Sequence, residues 1–182
     1  MLIDQHPIPT LTVLDELNKK VEQGHRVDSR IYRLLYEQNP VYATVIETQE
    51  EFLKLIFHEG CPSRLLTPAE QPRSLEDVVN RMENMNLTFE TLTHDLSHDR
   101  YYHHPEWFSQ CVQINSAFTY DYFSPIFLTD STDLELFQTP GSPFHIYDGT
   151  HRSLVLAWKI IKEGFQYERI RAYLFRPRPV NA

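Results

Sequence analysis

The chain has 182 residues, of which 41% are hydrophobic and 13% are aromatic, so it is long enough for a single domain with its own core and too apolar to be disordered. Its 17 basic and 25 acidic residues give a formal net charge of −8, which argues against DNA as a partner. No apolar run reaches the roughly 20 residues of a membrane helix, and no signal sequence opens the chain, so we expect a cytoplasmic protein that does not contact membranes. Two distant cysteines, Cys61 and Cys111, predict neither a disulfide framework nor a thiolate metal site.

Three helices and one strand are predicted in the first half of the chain. The first two helices cover residues 12–23 and 48–59 and close at Gly24 and Gly60, which can adopt the left-handed conformation of a helix end. Val41–Ile46 is rich in β-formers and predicts a strand. Each helix opens on a polar pair typical of a capping box. These pairs are Thr12 with Asp15, Thr48 with Glu51, and Ser74 with Asp77.

A repeated His-Asp pair in the middle of the chain is a candidate metal site. If this segment is helical, His94 and His98 share one face and could chelate zinc or another divalent ion, with His103 or His104 added. The alternative is a solvated polar loop or helix turn. A metal site here would make metal-assisted hydrolysis a candidate activity.

The segment 101–123 is unusually aromatic and holds eight of the 23 aromatic residues. Packing in the core is the simpler interpretation, because aromatic side chains dominate core burial. The alternative is a wall of a substrate pocket or a surface that binds a protein partner.

The last third of the chain predicts a strand, a helix and a strand in succession. Residues 143–147 read as a strand, the apolar helix that follows closes at Gly164, and residues 167–175 alternate like a strand. Another short strand is predicted at 124–129. A strand–helix–strand unit of this length is most easily parallel and right-handed. In the last strand we expect Ile170, Ala172 and Leu174 on the buried face and Arg169, Arg171 and Tyr173 on the other.

Helices and strands thus mix along the whole chain, without repeats or a visible linker, which predicts one α/β or α+β domain over residues 1–182.

The junction between residues 148 and 152 contains every residue type of a phosphate cradle. A helix N-terminus favours an anion, Gly149 allows close backbone approach, and Arg152 offers a fork of donors. His151 adds further donors, Thr150 a hydroxyl, and Asp148 a carboxylate that holds a metal or accepts a proton. The alternative is an ordinary Asp-Gly turn in which Asp148 or Thr150 only caps the helix. Neither the P-loop pattern nor the dinucleotide-binding glycine pattern occurs.

The run from Tyr147 to Ala157 follows the predicted strand at 124–128 and precedes the strand that ends at Phe175. In its residues and in this order of elements, it resembles the ParB/sulfiredoxin superfamily. Its members place a G-x-[HR]-R box between a strand and a helix and use it to hold nucleotide phosphates. The resemblance covers residues 123–177. It implies a nucleotide-binding core there, with residues 1–122 as an extended, mainly helical N-terminal part.

Departures from individual members narrow the implied activity. Sulfiredoxins have a reactive cysteine where this chain has Thr150, which argues against sulfinic acid reduction. Chromosome-partition members have two arginines where this chain has His151 and Arg152. The box is most similar in style to that of free serine kinases, in which its histidine and arginine contact phosphates and its aspartate lies near the transferred group.

By that resemblance the chain is expected to bind ATP or a related nucleotide with Mg²⁺ and to phosphorylate a small hydroxyl-bearing substrate. Asp148 and His151 are the expected catalytic residues. A nucleotide-responsive module without catalysis, which signals through the aromatic segment, is the alternative. The expected phosphate-binding residues are Gly149, Thr150, His151, Arg152 and Ser153.

Overall fold

A computed structural model describes residues 1–22, 27, 29–37, 40–57, 74–94, 105–120, 125–129 and 144–176. This part of the chain contains seven helices and six strands. The helices are α1 (Thr10–Glu22), α2 (Ser29–Tyr36), α3 (Gln49–Leu53), α4 (Leu75–Asn84), α5 (Phe89–His94), α6 (Pro105–Ser116) and α7 (Thr150–Glu163). The strands are β1 (Leu2–Ile3), β2 (Val41–Ile46), β3 (Ile56–Phe57), β4 (Ile126–Thr129), β5 (His145–Asp148) and β6 (Ile170–Phe175). None of these helices is both long enough and apolar enough to cross a bilayer.

The strands form one mixed sheet in the order β1-β2-β6-β4-β5-β3. The pairs β4 with β6 and β3 with β5 are parallel, and the other pairs are antiparallel. Because β1, β2 and β3 come from the first half of the chain, that half contributes strands to the same sheet as the last third. The mixed α/β class predicted from the sequence is therefore confirmed.

Both faces of the sheet are buried. The main core, between the sheet and α4 to α7, is built around Ile126, Leu128, Ile146, Ile170, Ala172 and Leu174 from the strands and Leu154, Val155, Leu156 and Ala157 from α7. The second core lies against α1 and α2 and comprises Val13, Leu17, Ile31, Leu35, Val41, Phe127, Tyr173 and Phe175.

The second core explains one error in the predicted pattern of β6. Ile170, Ala172 and Leu174 are buried as expected, and Arg171 is exposed. Tyr173, expected on a solvated face, is 5% exposed because α1 and α2 cover that side of the sheet.

The predicted parallel arrangement of the last two strands is wrong. Strand β4 lies between β5 and β6, antiparallel to β5 and parallel to β6, so β5 and β6 run in opposite directions. Phe127 is the cross-strand partner of both Asp148 and Tyr173. The end of β5 is therefore level with the middle of β6, across the start of β4.

The local capping signals are mostly confirmed. Thr48 with Glu51 and Ser74 with Asp77 form complete capping boxes, in which the side chain of each member accepts a backbone N–H bond from the other.

Two predicted helix boundaries need correction. Helix α3 ends at Leu53 instead of running to Gly60, because Ile56 and Phe57 pair with β5 as strand β3. Helix α1 begins at Thr10, two residues before the predicted cap at Thr12. The closing glycines predicted at 24 and 60 lie outside the described residues.

Candidate functional site

Helix α7 begins at its junction with β5 on a residue that has no side chain. Gly149 is the N-cap residue, with a left-handed φ of +92°, and its carbonyl accepts the N–H of Ser153 at 2.9 Å. Gly149 itself has no side chain that could accept a capping hydrogen bond. The N–H groups of the first helical turn have no acceptor within the helix itself, so this end carries partial positive charge.

The absence of a side chain at Gly149 is explained by packing inside the protein. A Cβ atom there would lie 2.7 Å from Cγ2 of Ile126 and 3.2 Å from Nη2 of Arg152. The close approach that the glycine permits is therefore that of a β4 side chain. This side of the helix start is filled by protein, and a ligand would have to approach from elsewhere.

Charged side chains gather beside this junction on the face of the second core. Asp148, Phe127 and Tyr173 form a row across three strands, since cross-strand partners share a face. Above that row, Nζ of Lys20 in α1 lies 5.4 Å from the Phe127 ring centroid and donates a 2.9 Å hydrogen bond to the Pro125 carbonyl. The Tyr173 hydroxyl donates to the carboxylate of Glu16, one helical turn before Lys20.

Lys20 is the most perturbed cation of this group. The residue is only 7% exposed to solvent. Burial, together with repulsion from Arg152, lowers the pKa of the ammonium from 10.5 to about 8, and the carboxylates of Asp148 and Glu16 oppose this shift. Arg152, 132 positions further along the chain, thus acts on Lys20 at this site.

Arg152 is the second cation. Burial lowers the pKa of its guanidinium, and the Asp148 carboxylate opposes that effect. Because a guanidinium stays protonated in proteins, the physical meaning is a charge held out of water beside one carboxylate.

His151 turns toward a different element. Its ring stacks on Trp107 of α6, with centroids 4.2 Å apart and planes inclined by 28°. Burial, with a smaller contribution from Arg152, lowers the pKa of the imidazole to about 4, so the ring is neutral at pH 7. Its Nε2 is buried without a hydrogen-bond partner among the described residues.

The side chains of the predicted phosphate cradle therefore interact with two different helices, α1 and α6. Arg152 interacts with Asp148 and Lys20, whereas His151 contacts α6. Ser153 is fully buried, and its hydroxyl has no hydrogen-bond partner in the described part of the chain. Thr150 begins the helix and is partly exposed. Joint contact of His151 and Arg152 with one phosphate remains a prediction.

Lys20 and Glu16 were missed by the sequence reasoning, although a signal for Lys20 was present. Val13, Leu17 and Lys20 follow each other at helical spacing on the buried side of α1. A lysine in an apolar stripe is a marked exception, because lysine is rarely buried without a partner. Val21, the apolar residue that follows Lys20, is 50% exposed.

The predicted metal pair gains no described partner. His94 is the exposed last residue of α5, while His98, His103 and His104 lie outside the described residues. Among residues that the structure describes, no three His, Cys, Asp or Glu side chains are grouped to hold a metal ion.

The described part of the aromatic segment packs inward. Phe108 is buried in the main core, and Trp107, Phe118 and Tyr120 pack against it. Tyr120 also donates its hydroxyl to the Gln166 carbonyl at 2.9 Å. These contacts agree with the packing interpretation for these four residues.

Comparison with protein-family models, curated proteins and solved structures finds no match to this chain. The resemblance to the ParB/sulfiredoxin superfamily therefore continues to depend on the residues around the 148–152 box.

Proposed function

We propose that the β5–α7 junction binds the phosphates of a nucleotide, as the core of a ParB/sulfiredoxin-like domain over residues 123–177. The observation that carries the proposal is the position of Arg152 on the first turn of a 14-residue helix whose N-cap residue is a glycine in the left-handed conformation. A partly buried guanidinium, backbone N–H groups and the positive end of the helix are all donors suited to one phosphate.

The charges of the site favour the binding of an anion over that of a bare cation. Arg152 opposes the protonation of Lys20, and an oxyanion between them would relieve that repulsion. Asp148 supplies the carboxylate that a phosphotransfer reaction needs near the transferred group. It is also the residue that would hold Mg²⁺ carried on the nucleotide phosphates, where the ion would neutralise phosphate charge.

The activity we propose is transfer of the terminal phosphoryl group of ATP to a small alcohol. The substrate oxygen bonds to the terminal phosphorus as the bond from that phosphorus to its bridging oxygen breaks, and ADP leaves. Asp148 accepts the hydroxyl proton, and Arg152 stabilises the charge on the phosphoryl oxygens.

Thermal unfolding of the full chain with ATP and Mg²⁺ tests nucleotide binding. A ligand present at about 100 times its Kd stabilises the folded state by about 2.7 kcal/mol, so we expect a measurable rise in Tm. Arg152→Met should remove that rise, whereas Arg171→Met, which alters an exposed arginine of β6, should keep it. The Tm of each variant without nucleotide controls for folding.

ADP release in the presence of small alcohols then tests catalysis. Turnover that Asp148→Asn abolishes would support the kinase. Nucleotide binding without turnover for any alcohol would favour a nucleotide-responsive module. No stabilisation by ATP, ADP or phosphate would contradict the proposed function.

A further inference from the structure

Lys20 has capacity for hydrogen bonding that the described part of the chain does not use. An ammonium group has three N–H donors. In the described part of the chain, the Lys20 ammonium makes one hydrogen bond, to the Pro125 carbonyl. The residue is only 7% exposed, so bulk water has little access to the other two donors. A buried charged group with open donors is costly unless an acceptor completes it.

The neighbouring carboxylates do not complete it. Glu16 and Asp148 act on Lys20 through their charge, but neither accepts a hydrogen bond from it. Glu16 accepts the hydroxyl of Tyr173 instead. Below the ammonium lies the face of Phe127, which attracts a cation but offers no hydrogen-bond acceptor of ordinary strength.

The Arg152 guanidinium reaches the start of β4: its Nη2 is 3.2 Å from the position that a Cβ atom of Gly149 would occupy, and that position is 2.7 Å from Cγ2 of Ile126. The Lys20 ammonium, bonded to the Pro125 carbonyl, and the Arg152 guanidinium, near Ile126, are therefore both at the start of β4, and repulsion from Arg152 lowers the pKa of Lys20. An oxyanion placed between them would accept hydrogen bonds from both cations.

We propose that Lys20 and Arg152 bind the same phosphoryl group, so that the ligand joins helix α1 to the β5–α7 junction. This inference rests on the proposed function. Because Lys20 is so little exposed, the group that reaches it is narrow: the terminal phosphate of a nucleotide or a free phosphate or pyrophosphate, with the base and sugar outside.

The groups that face Lys20 decide how binding depends on pH. They are Glu16 on its own helix, Asp148 at the end of β5, Arg152 on α7 and Tyr173 on β6. Burial, together with the Glu16 bond, raises the pKa of the Tyr173 hydroxyl well above its usual range, and Arg152 stays charged. Between pH 7 and 9.5 the group that loses its charge is therefore Lys20, whose pKa is about 8 without ligand.

Calorimetric titration with pyrophosphate and with ATP and Mg²⁺ tests the inference. The proteins are the parent chain, Arg152→Met, Lys20→Met, Lys20→Arg and the control Lys19→Met, which removes an exposed lysine from the same helix. Lys20→Met should weaken binding by about tenfold or more, as expected for loss of charge-assisted hydrogen bonds, while Lys19→Met binds as the parent does. Affinity of the parent should fall from pH 7 to pH 9.5, and Lys20→Arg should bind with a much smaller fall.

Each outcome decides a separate point. If Arg152→Met loses binding but Lys20→Met binds like the parent with an unchanged pH profile, the inference is wrong and the proposed function stands. If the parent binds neither probe at any pH, both are wrong. Unchanged Tm values of the Lys20 variants without ligand would show that lost affinity does not come from unfolding.

Discussion

At the scale of single residues, two glycines adopt the same left-handed conformation for different reasons. Gly164 ends α7 with φ of +67°, and a Cβ atom there would meet nothing within 4 Å. Gly149 begins α7 with φ of +92°, and its Cβ atom would collide with Ile126. The first position needs glycine only for its backbone, and the second needs it for its backbone and for the packing of β4.

We therefore expect Gly149→Ala to cost more stability than Gly164→Ala. Left-handed backbone alone costs a non-glycine residue about 1–2 kcal/mol, which is the loss expected at position 164. At position 149 the displacement of Ile126 adds to it, for a total of about 3 kcal/mol or more. Urea unfolding of the two variants measures the difference. Equal losses would show that β4 can move away from the junction without cost.

At the scale of elements, α7 is held by different groups on its two sides. His151 stacks on Trp107 and ties its first turn to α6, while Arg152 belongs to the charged group that includes α1. The stacked imidazole is compatible with burial only when neutral, because protonation would place a second charge beside Arg152. Contact between α6 and α7 should therefore weaken in acid.

The sign of that pH dependence follows from the two protonation states. The His151 pKa is about 4 in the folded protein and 6.5 ordinarily, so the unfolded chain binds more protons between these values. The stability that neutral His151 provides is complete above pH 6.5 and is lost as pH falls toward 4, by at most about 3 kcal/mol.

His151→Gln should reduce this loss. The measurement is the free energy of urea unfolding at pH 7 and at pH 4.5, compared between the variant and the parent. His94→Gln, at the exposed end of α5, is the control and should lose as much stability in acid as the parent. An equal loss in His151→Gln would mean that the imidazole is protonated in the folded state.

At the scale of the whole molecule, one sheet carries two cores. Phe127 and Leu128 are consecutive in β4 and are buried on opposite faces, in the second and the main core respectively. Since the same backbone supports both, we expect the helices on either face to unfold together with the sheet.

This expectation is tested by Phe127→Ala and Leu128→Ala. Removal of a large core side chain costs about 3–5 kcal/mol for Phe and about 2–5 kcal/mol for Leu. Fluorescence of Trp107 and Trp158, which pack against the main core, and amide exchange of α1, which covers the second core, should report the same loss in each variant. Loss of α1 protection in Phe127→Ala, with tryptophan fluorescence unchanged, would show that α1 unfolds separately.

Part of this molecule was predictable from residues close together in sequence. The capping boxes at Thr48 and Ser74, the strand at Val41–Ile46 and the glycine that ends α7 are all decided within a few residues, by backbone hydrogen bonds and side-chain periodicity. The position of the 148–152 segment between a strand and a helix was likewise indicated by the residues of that segment and their neighbours in sequence.

Only the tertiary structure decided which groups meet at that junction. The Lys20 ammonium and the Pro125 carbonyl are 105 positions apart, and Glu16 and Tyr173 are 157 apart, so no local pattern relates them. The insertion of β4 between β5 and β6 likewise depends on pairing between distant strands. Tyr173 lies against α1 and α2 instead of water because these helices cover that face of the sheet. The sequence alone determined the helix that offers its N-terminus, because its signals lie close together in the chain. Only the folded chain determined which cations lie beside that N-terminus, because charge and packing act through space between distant residues.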